Sequence, residues 1–258
     1  MSMRVVFDER FHRSGYSSDP FDNAAVPDRL VGIMDALRND GRYGVMAPRA
    51  ASREDLLRAH TEDYVNKIVS NPVLYDMASL AAGAAIDAAK LAHAGEASFA
   101  CVRPPGHHAS RASAWGHCTF SNVAVAVLTL RDAGLINSAT VVDFDQHTGD
   151  GTLDVLKEWR SAHVINPYGD TASSYLQTLE TQLSEAPQTD ILAVCAGFDG
   201  YVHDLGRKLS TPDYFSIGRA LQAYAIRLQH QRRFAVLEGG YYLPDLGKNV
   251  LAFCRGFE

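Results

Sequence analysis

Residues able to do chemistry are concentrated in the run Asp143-Phe-Asp-Gln-His-Thr-Gly-Asp-Gly-Thr152. It follows Ala139-Thr-Val-Val142, whose β-branched residues read as the outlet of a buried strand. Side chains alternate along a strand, so Asp143, Asp145 and His147 leave on one side if the extended backbone continues. Two carboxylates and an imidazole at one strand end are costly in an apolar core, and a bound cation is the simplest compensation. An acidic turn that caps the next helix is the other reading these residues allow.

Four further polar clusters are each expected to follow an apolar, strand-like run. Arg103-Pro-Pro-Gly-His-His-Ala109 fixes adjacent histidines in a proline loop. They are either solvated or proton carriers, each needing a carboxylate such as Asp143 or Asp150 to set its tautomer. Trp115-Gly-His-Cys-Thr-Phe-Ser-Asn122 gathers aromatic and small residues ahead of a helix, with Ser121 or Asn122 as its cap. Cys195-Ala-Gly-Phe-Asp-Gly200 holds Asp199 in a glycine-flanked turn, as a turn residue or as a third ligand beside Asp145 and His147. In Glu238-Gly-Gly-Tyr241 the glycines either aim the Tyr241 hydroxyl into a cleft or form a plain turn.

The elements that must position these clusters alternate along the chain. Strands are predicted at 4–7, 99–102, 139–144, 162–166, 189–195 and 233–238. Helices are predicted from Pro27, after Ser52-Arg-Glu-Asp55, from Thr61 to Val69, over 74–94 and 122–131, and at 152–159, 172–185 and 213–231. A polar loop fills 8–26. The expectation is an α/β fold: a single domain over 1–258, with a central, mostly parallel sheet covered by helices on both faces and its chemistry at the carboxyl ends of the strands.

Composition narrows the function. The 258 residues are 47% apolar and 21% charged, as in a globular chain. The formal charge, 24 − 30 = −6, argues against nucleic acid or an anionic membrane as partner and suits a cationic substrate. The sequence offers no leader of signal length and no membrane-spanning run. Cys101, Cys118, Cys195 and Cys254 are widely spaced, which predicts buried free thiols in a reducing cytoplasm.

Taken in order, the Arg103–His108 cluster, Gly116-x-Cys118-x-x-x-Asn122, Asp143-x-Asp145-x-His147-x-Gly149-x-Gly151-Thr152, Ala196-Gly-Phe-Asp199 and Glu238–Tyr241 resemble the zinc-dependent deacetylases. That family comprises histone deacetylases and acetylpolyamine amidohydrolases. Weaker echoes lie in Pro27-Asp-Arg-Leu30 and Ala59-His-Thr-Glu-Asp-Tyr-Val65. The resemblance implies an arginase–deacetylase-like fold with one catalytic Zn2+ held by Asp145, His147 and Asp199. Two carboxylates and one imidazole would also accept Fe2+ or Co2+. It further implies His107 and His108 as a catalytic pair with partners Asp143 and Asp150, Tyr241 bonded to the substrate carbonyl, and a structural K+ near Asp143, Asp145 and His147. Gly116 and His117 would line the substrate channel.

Three departures from the family pattern stand out. Thr148 occupies the place of a usual second histidine, His117 that of an aromatic channel wall, and the chain is short for the family, which implies trimmed rim loops. The activity implied is hydrolysis of an N-acetyl or N-acyl amide of a primary amine, with a lean toward small acylated amines or polyamines. Acetyl-lysine in a protein is the alternative substrate, and a non-catalytic acyl-amine-binding module is the alternative class. A paired-manganese hydrolase would need acidic ligands that the sequence does not place.

Overall fold

Among the described residues, seven short strands carry the architecture: β1 (Arg4–Val6), β2 (Gly44–Met46), β3 (Ser98–Ala100), β4 (Ala139–Asp143), β5 (Ala162–Ile165), β6 (Leu192–Ala196) and β7 (Arg233–Leu237). In the computed structural model, which describes residues 3–13, 26 and 28–258, they form one sheet of order β2-β1-β3-β7-β6-β4-β5. Every pairing is parallel, so the sheet is wholly rather than mostly parallel. The reason lies in the connections. Each strand but the last is followed by a long excursion before the next, which leaves room for the crossover that parallel neighbours need.

Helices α1 (Asp28–Asp40), α2 (Arg53–Ala59), α3 (Glu62–Val69), α4 (Pro72–His93), α5 (Asn122–Asp132), α6 (Asp150–Leu156), α7 (Ala172–Glu185) and α8 (Thr211–Arg227) occupy those excursions, and α9 (Leu243–Phe257) follows the last strand. They pack as two groups, α1 with α9, α8 and α7, and α4 with α3, α5, α2 and α6. Strands β4, β6 and β7 are buried at every residue, as a sheet covered on both faces requires. No helix among the described residues is long and apolar enough to cross a membrane. All four cysteines are free and buried.

Local chemistry explains most helix starts. Ser52 and Asp55 form a reciprocal capping box on α2, and Thr61 caps α3. Ser121 stands at the N-cap of α5, but neither it nor Asn122 caps through its side chain. The Ser121 N–H instead donates to His60 Nε2 at the end of α2, and Asn122 Nδ2 donates to the Pro104 carbonyl, which ties down the histidine loop. The predicted Pro27 start lies outside the described residues, as do 14–25 of the predicted loop. The described part of that loop contains a 3-10 turn at Glu9–His12, capped by Asp8.

Two elements were invisible to pattern reading. Strand β2 is three residues long and largely exposed, so it lacks an apolar signature. Helix α9 carries Pro244, Gly247 and Gly256, which weaken a helical pattern. Those glycines serve packing: a Cβ at Gly247 would lie 2.1 Å from the Gly32 carbonyl oxygen, and one at Gly256 2.2 Å from that of Phe215.

Gly247→Ala is therefore expected to destabilise the fold, although alanine favours a helix by about 1 kcal/mol. Forcing α1 and α9 apart should cost about 1–3 kcal/mol. A lower urea midpoint with unchanged slope checks the sign.

Candidate active site

The chemistry gathers at the carboxyl ends of β3, β7, β6 and β4, which are neighbours in the sheet. The loop after β3 brings His107 and His108 and also the Trp115–Cys118 turn. That turn thus follows no strand of its own, contrary to the sequence expectation. β4 delivers Asp143 to His147, β6 delivers Asp199, and β7 delivers Glu238 to Tyr241. Phe144 and Phe198 alternate with these carboxylates and point into the core, their rings 5.5 Å apart and 5.1 and 5.9 Å from Phe253 of α9.

Asp145, His147 and Asp199 do converge, with ligand atoms all within 4.8 Å of one another. Strand alternation is not the cause, because β4 ends at Asp143 and 145–147 bend. Each carboxylate instead accepts the N–H two residues on: Asp143 Oδ1 from Asp145 (3.1 Å), and Asp145 Oδ1 from His147 (2.9 Å). Asp145 Oδ2 accepts from the Gly239 N–H and Asp199 Oδ1 from the Gln146 N–H, both at 2.9 Å. Gly239 must approach this closely; its Cβ would stand 2.6 Å from Asp145 Oδ2.

This group fits a divalent cation. His147 Nδ1 lies 3.1 Å from both Asp145 Oδ1 and Asp199 Oδ2. The second contact lacks hydrogen-bond alignment, which leaves Asp199 Oδ2 buried without a partner. Burial, then the charge of Asp145, pushes the Asp199 carboxyl up to about 6. The carboxylates of Asp145 and Asp199 hold the His147 imidazole up to about 10. Both shifts express one demand, for positive charge between two buried carboxylates, and a metal ion would compete with the proton for it. Thr148 is exposed and outside the group, so the missing second histidine does not disturb it.

The two histidines sit in opposite electrostatic settings. His107 Nδ1 meets Asp143 Oδ2 at 3.0 Å, both side chains buried. Burial opposes its charged form, but the Asp143 and Asp145 carboxylates outweigh it and hold the pKa well above the usual imidazole value. His108 Nδ1 meets Asp150 Oδ1 at 2.6 Å. Burial and the neighbouring His107 charge hold the His108 pKa below the usual value, against the pull of Asp150. The two imidazoles are thus driven in opposite directions, His107 toward its charged form and His108 toward its neutral one.

A cavity of about 260 Å³ opens over this pair. His107, His108, His147, Gly116, His117, Gly239 and Tyr241 line it, together with Pro105, Trp115 and Leu205. Tyr241 is held from behind by Arg29, whose guanidinium lies 5.2 Å from the ring centroid and donates to the Glu238 and Gly240 carbonyls at 2.7 Å. Burial raises the Tyr241 phenol far above its usual pKa, so it stays a hydrogen-bond donor. His117 is exposed at the cavity with φ 67°, beside Gly116 at φ 59°.

Residues 23–178 match the family described as histone deacetylase domain. The chain belongs to the histone deacetylase family. It is 29% identical over 313 residues to polyamine deacetylase HDAC10 of Danio rerio, covering 95% of this chain and 46% of that protein. This chain thus spans about half the length of that relative. It is 29% identical over 291 residues to a probable deacetylase of Archaeoglobus fulgidus, covering 90% and 81%. Against acetylpolyamine amidohydrolase of Mycoplana ramosa it is 25% identical over 344 residues, covering 98% and 99%. Among solved structures the HDA15 HD domain superposes with a TM-score of 0.86 at 25% identity, covering all of this chain and 90% of that one.

Within this site, several contributors carry no sequence signal of their part in it. Glu238 stood in a motif but had no assigned part; its Oε2 accepts the N–H groups of Gly106 and His107, at 2.7 and 3.1 Å. Leu205 has an ordinary side chain that only its folded loop brings to the cavity, and Arg29, on α1, stands buried behind Tyr241 rather than in the cavity lining.

Asp199→Ala is expected to abolish binding of an added divalent cation such as zinc, since a three-ligand group has no spare donor. Zinc per chain after desalting, set against the wild type, checks this; full occupancy in the variant would remove Asp199 from the ligand set.

Proposed function

We propose that this chain is a zinc-dependent deacetylase that hydrolyses the N-acyl amide of a small primary amine. The observation that carries the reading is the oppositely tuned histidine pair facing a cavity beside three convergent metal-type ligands. Asp145, His147 and Asp199 would hold the ion, and Fe2+ or Co2+ suits the same donors. When bound, it would supply Lewis acidity toward the amide carbonyl and the attacking water.

The remaining roles fall to side chains. Neutral His108 takes a proton from the attacking water and returns one to the leaving amine, with Asp150 fixing its tautomer. His107, kept cationic by Asp143, offsets negative charge as the carbonyl carbon becomes tetrahedral. The Tyr241 hydroxyl donates to the oxygen on which that charge grows, a contribution of roughly 3 kcal/mol for one well-placed donor. Gly116 and His117 border the substrate. A structural K+ near Asp143, Asp145 and His147, partly on their backbone carbonyls, belongs to the same proposal and rests on the family resemblance.

Small acylated amines are supported by the net charge of −6 and by relatives described as a polyamine deacetylase and an acetylpolyamine amidohydrolase. The exposed apolar faces of Trp115 and Leu205 at the cavity favour a second reading, acyl-lysine within a polypeptide. One sheet joining all described strands supports a single catalytic domain over 1–258, and four buried thiols support a cytoplasmic setting.

Tyr241→Phe should retain metal and fold while kcat falls about 100-fold, with KM changing far less. Steady-state kinetics on an acetylated amine tests this, and an unchanged kcat would take Tyr241 out of the mechanism. The substrate choice is tested by comparing kcat/KM for acetylated polyamines and acetyl-lysine peptides. The small amines should lead, and His117→Phe should shift the preference toward the peptide. Efficient peptide turnover without small-amine activity would reverse the choice and keep the chemistry.

A further inference from the structure

The two histidine–carboxylate pairs are not equally secured. Asp143 is fully enclosed and also bonded to the Asp145 N–H, so His107 has a rigid partner. The Asp150 side chain is 51% exposed, in the first turn of α6, where water could draw it away from His108. One side chain closes that gap. Trp115 Nε1–H donates to Asp150 Oδ2 at 2.9 Å while Asp150 Oδ1 meets His108. The same indole stacks on the His108 imidazole, with ring centroids 3.7 Å apart and planes at 27°. It therefore grips both members of the pair at once, through an edge and a face.

The backbone is shaped to hold the indole there. Trp115 is 55% exposed, so core burial does not explain its position. Gly116 follows at φ 59°, and a Cβ there would come within 2.7 Å of His108 Cδ2. His117 keeps the left-handed conformation at φ 67°, uncommon for a residue with a side chain. This turn lies flat against His108 and leaves Trp115 over the ring. Phenylalanine could stack similarly but has no N–H; tryptophan supplies both contacts.

We infer that Trp115 is a positioning residue for proton transfer: it locks the exposed Asp150 carboxylate and the His108 imidazole into one geometry. The inference rests on the proposed role of His108 as the proton carrier. It differs from packing, which would bear on stability, and from substrate contact, which would bear on KM.

The test uses the zinc-loaded full chain. Trp115→Phe keeps the stacked ring and should lower kcat about tenfold on an acetylated amine, with KM within about twofold and zinc content unchanged. Asp150→Asn should lower kcat as well, and adding Trp115→Phe to it should cost at most about twofold more, because both changes break one linkage. A readout free of turnover comes from the indole N–H resonance in a Trp159→Phe background. It should lie downfield, exchange slowly despite its exposure, and move on Asp150→Asn. Unchanged kcat, an effect confined to KM, loss of zinc, fully additive losses, or a fast-exchanging indole N–H that ignores Asp150 would each overturn the inference. If the zinc-loaded wild type hydrolyses no acyl amide, the deacetylase reading falls and takes this one with it. Turnover by the wild type with an unaffected Trp115→Phe variant rejects the positioning role alone.

Discussion

Four carboxyl groups, those of Asp143, Asp145, Asp199 and Glu238, lie 5% exposed or less at one end of the sheet. Placing that much potential negative charge out of water is costly unless each group is paired or hydrogen-bonded. Much of the local architecture answers that constraint. Backbone N–H groups of Asp145, His147, Gln146, Gly239, Gly106 and His107 all donate to these four side chains. Donation at such close range requires loops without bulk, which is why glycine recurs at the strand ends.

The donors do not satisfy everything. Glu238 Oε1 and Asp199 Oδ2 remain buried without hydrogen-bond partners, and burial pushes the Glu238 carboxyl up to about 7. These carboxylates raise the His107 pKa, and they make the Asp145–His147–Asp199 group a candidate site for a cation. His108 stands one ring further out, 3.9 Å from His107, and experiences mainly its neighbour's charge and its own burial. A single step in depth thus separates an imidazole that keeps its proton from one that can exchange it.

Much of this was legible in the sequence because the chemistry is carried by short, rigid runs. Asp-x-Asp-x-His places its groups in one short run just past a strand end, and the proline-fixed loop admits few conformations for His107 and His108. The α/β alternation followed from β-branched runs and capping residues such as Thr61. What could not be read depended on contacts distant in sequence. The helix α9 is written in glycines that make sense only against α1 and α8. The roles of Arg29 and Glu238 arise from backbone groups over a hundred residues away. Trp115 looked like packing ahead of a helix because its partner, Asp150, lies beyond helix α5 and strand β4.

Phe144 and Phe198 give the site its foundation. Each sits between or beside candidate metal ligands in the chain, and each ring is wedged against Phe253 in the last helix. Asp145 and Asp199 are therefore carried on two arms that share one footing in the apolar interior. Neither arm can swing outward as a loop normally does without pulling an aromatic ring out of that footing. The inner end of the site behaves as part of the core, whereas the outer wall, where His117 and Leu205 meet the solvent, is built from exposed side chains.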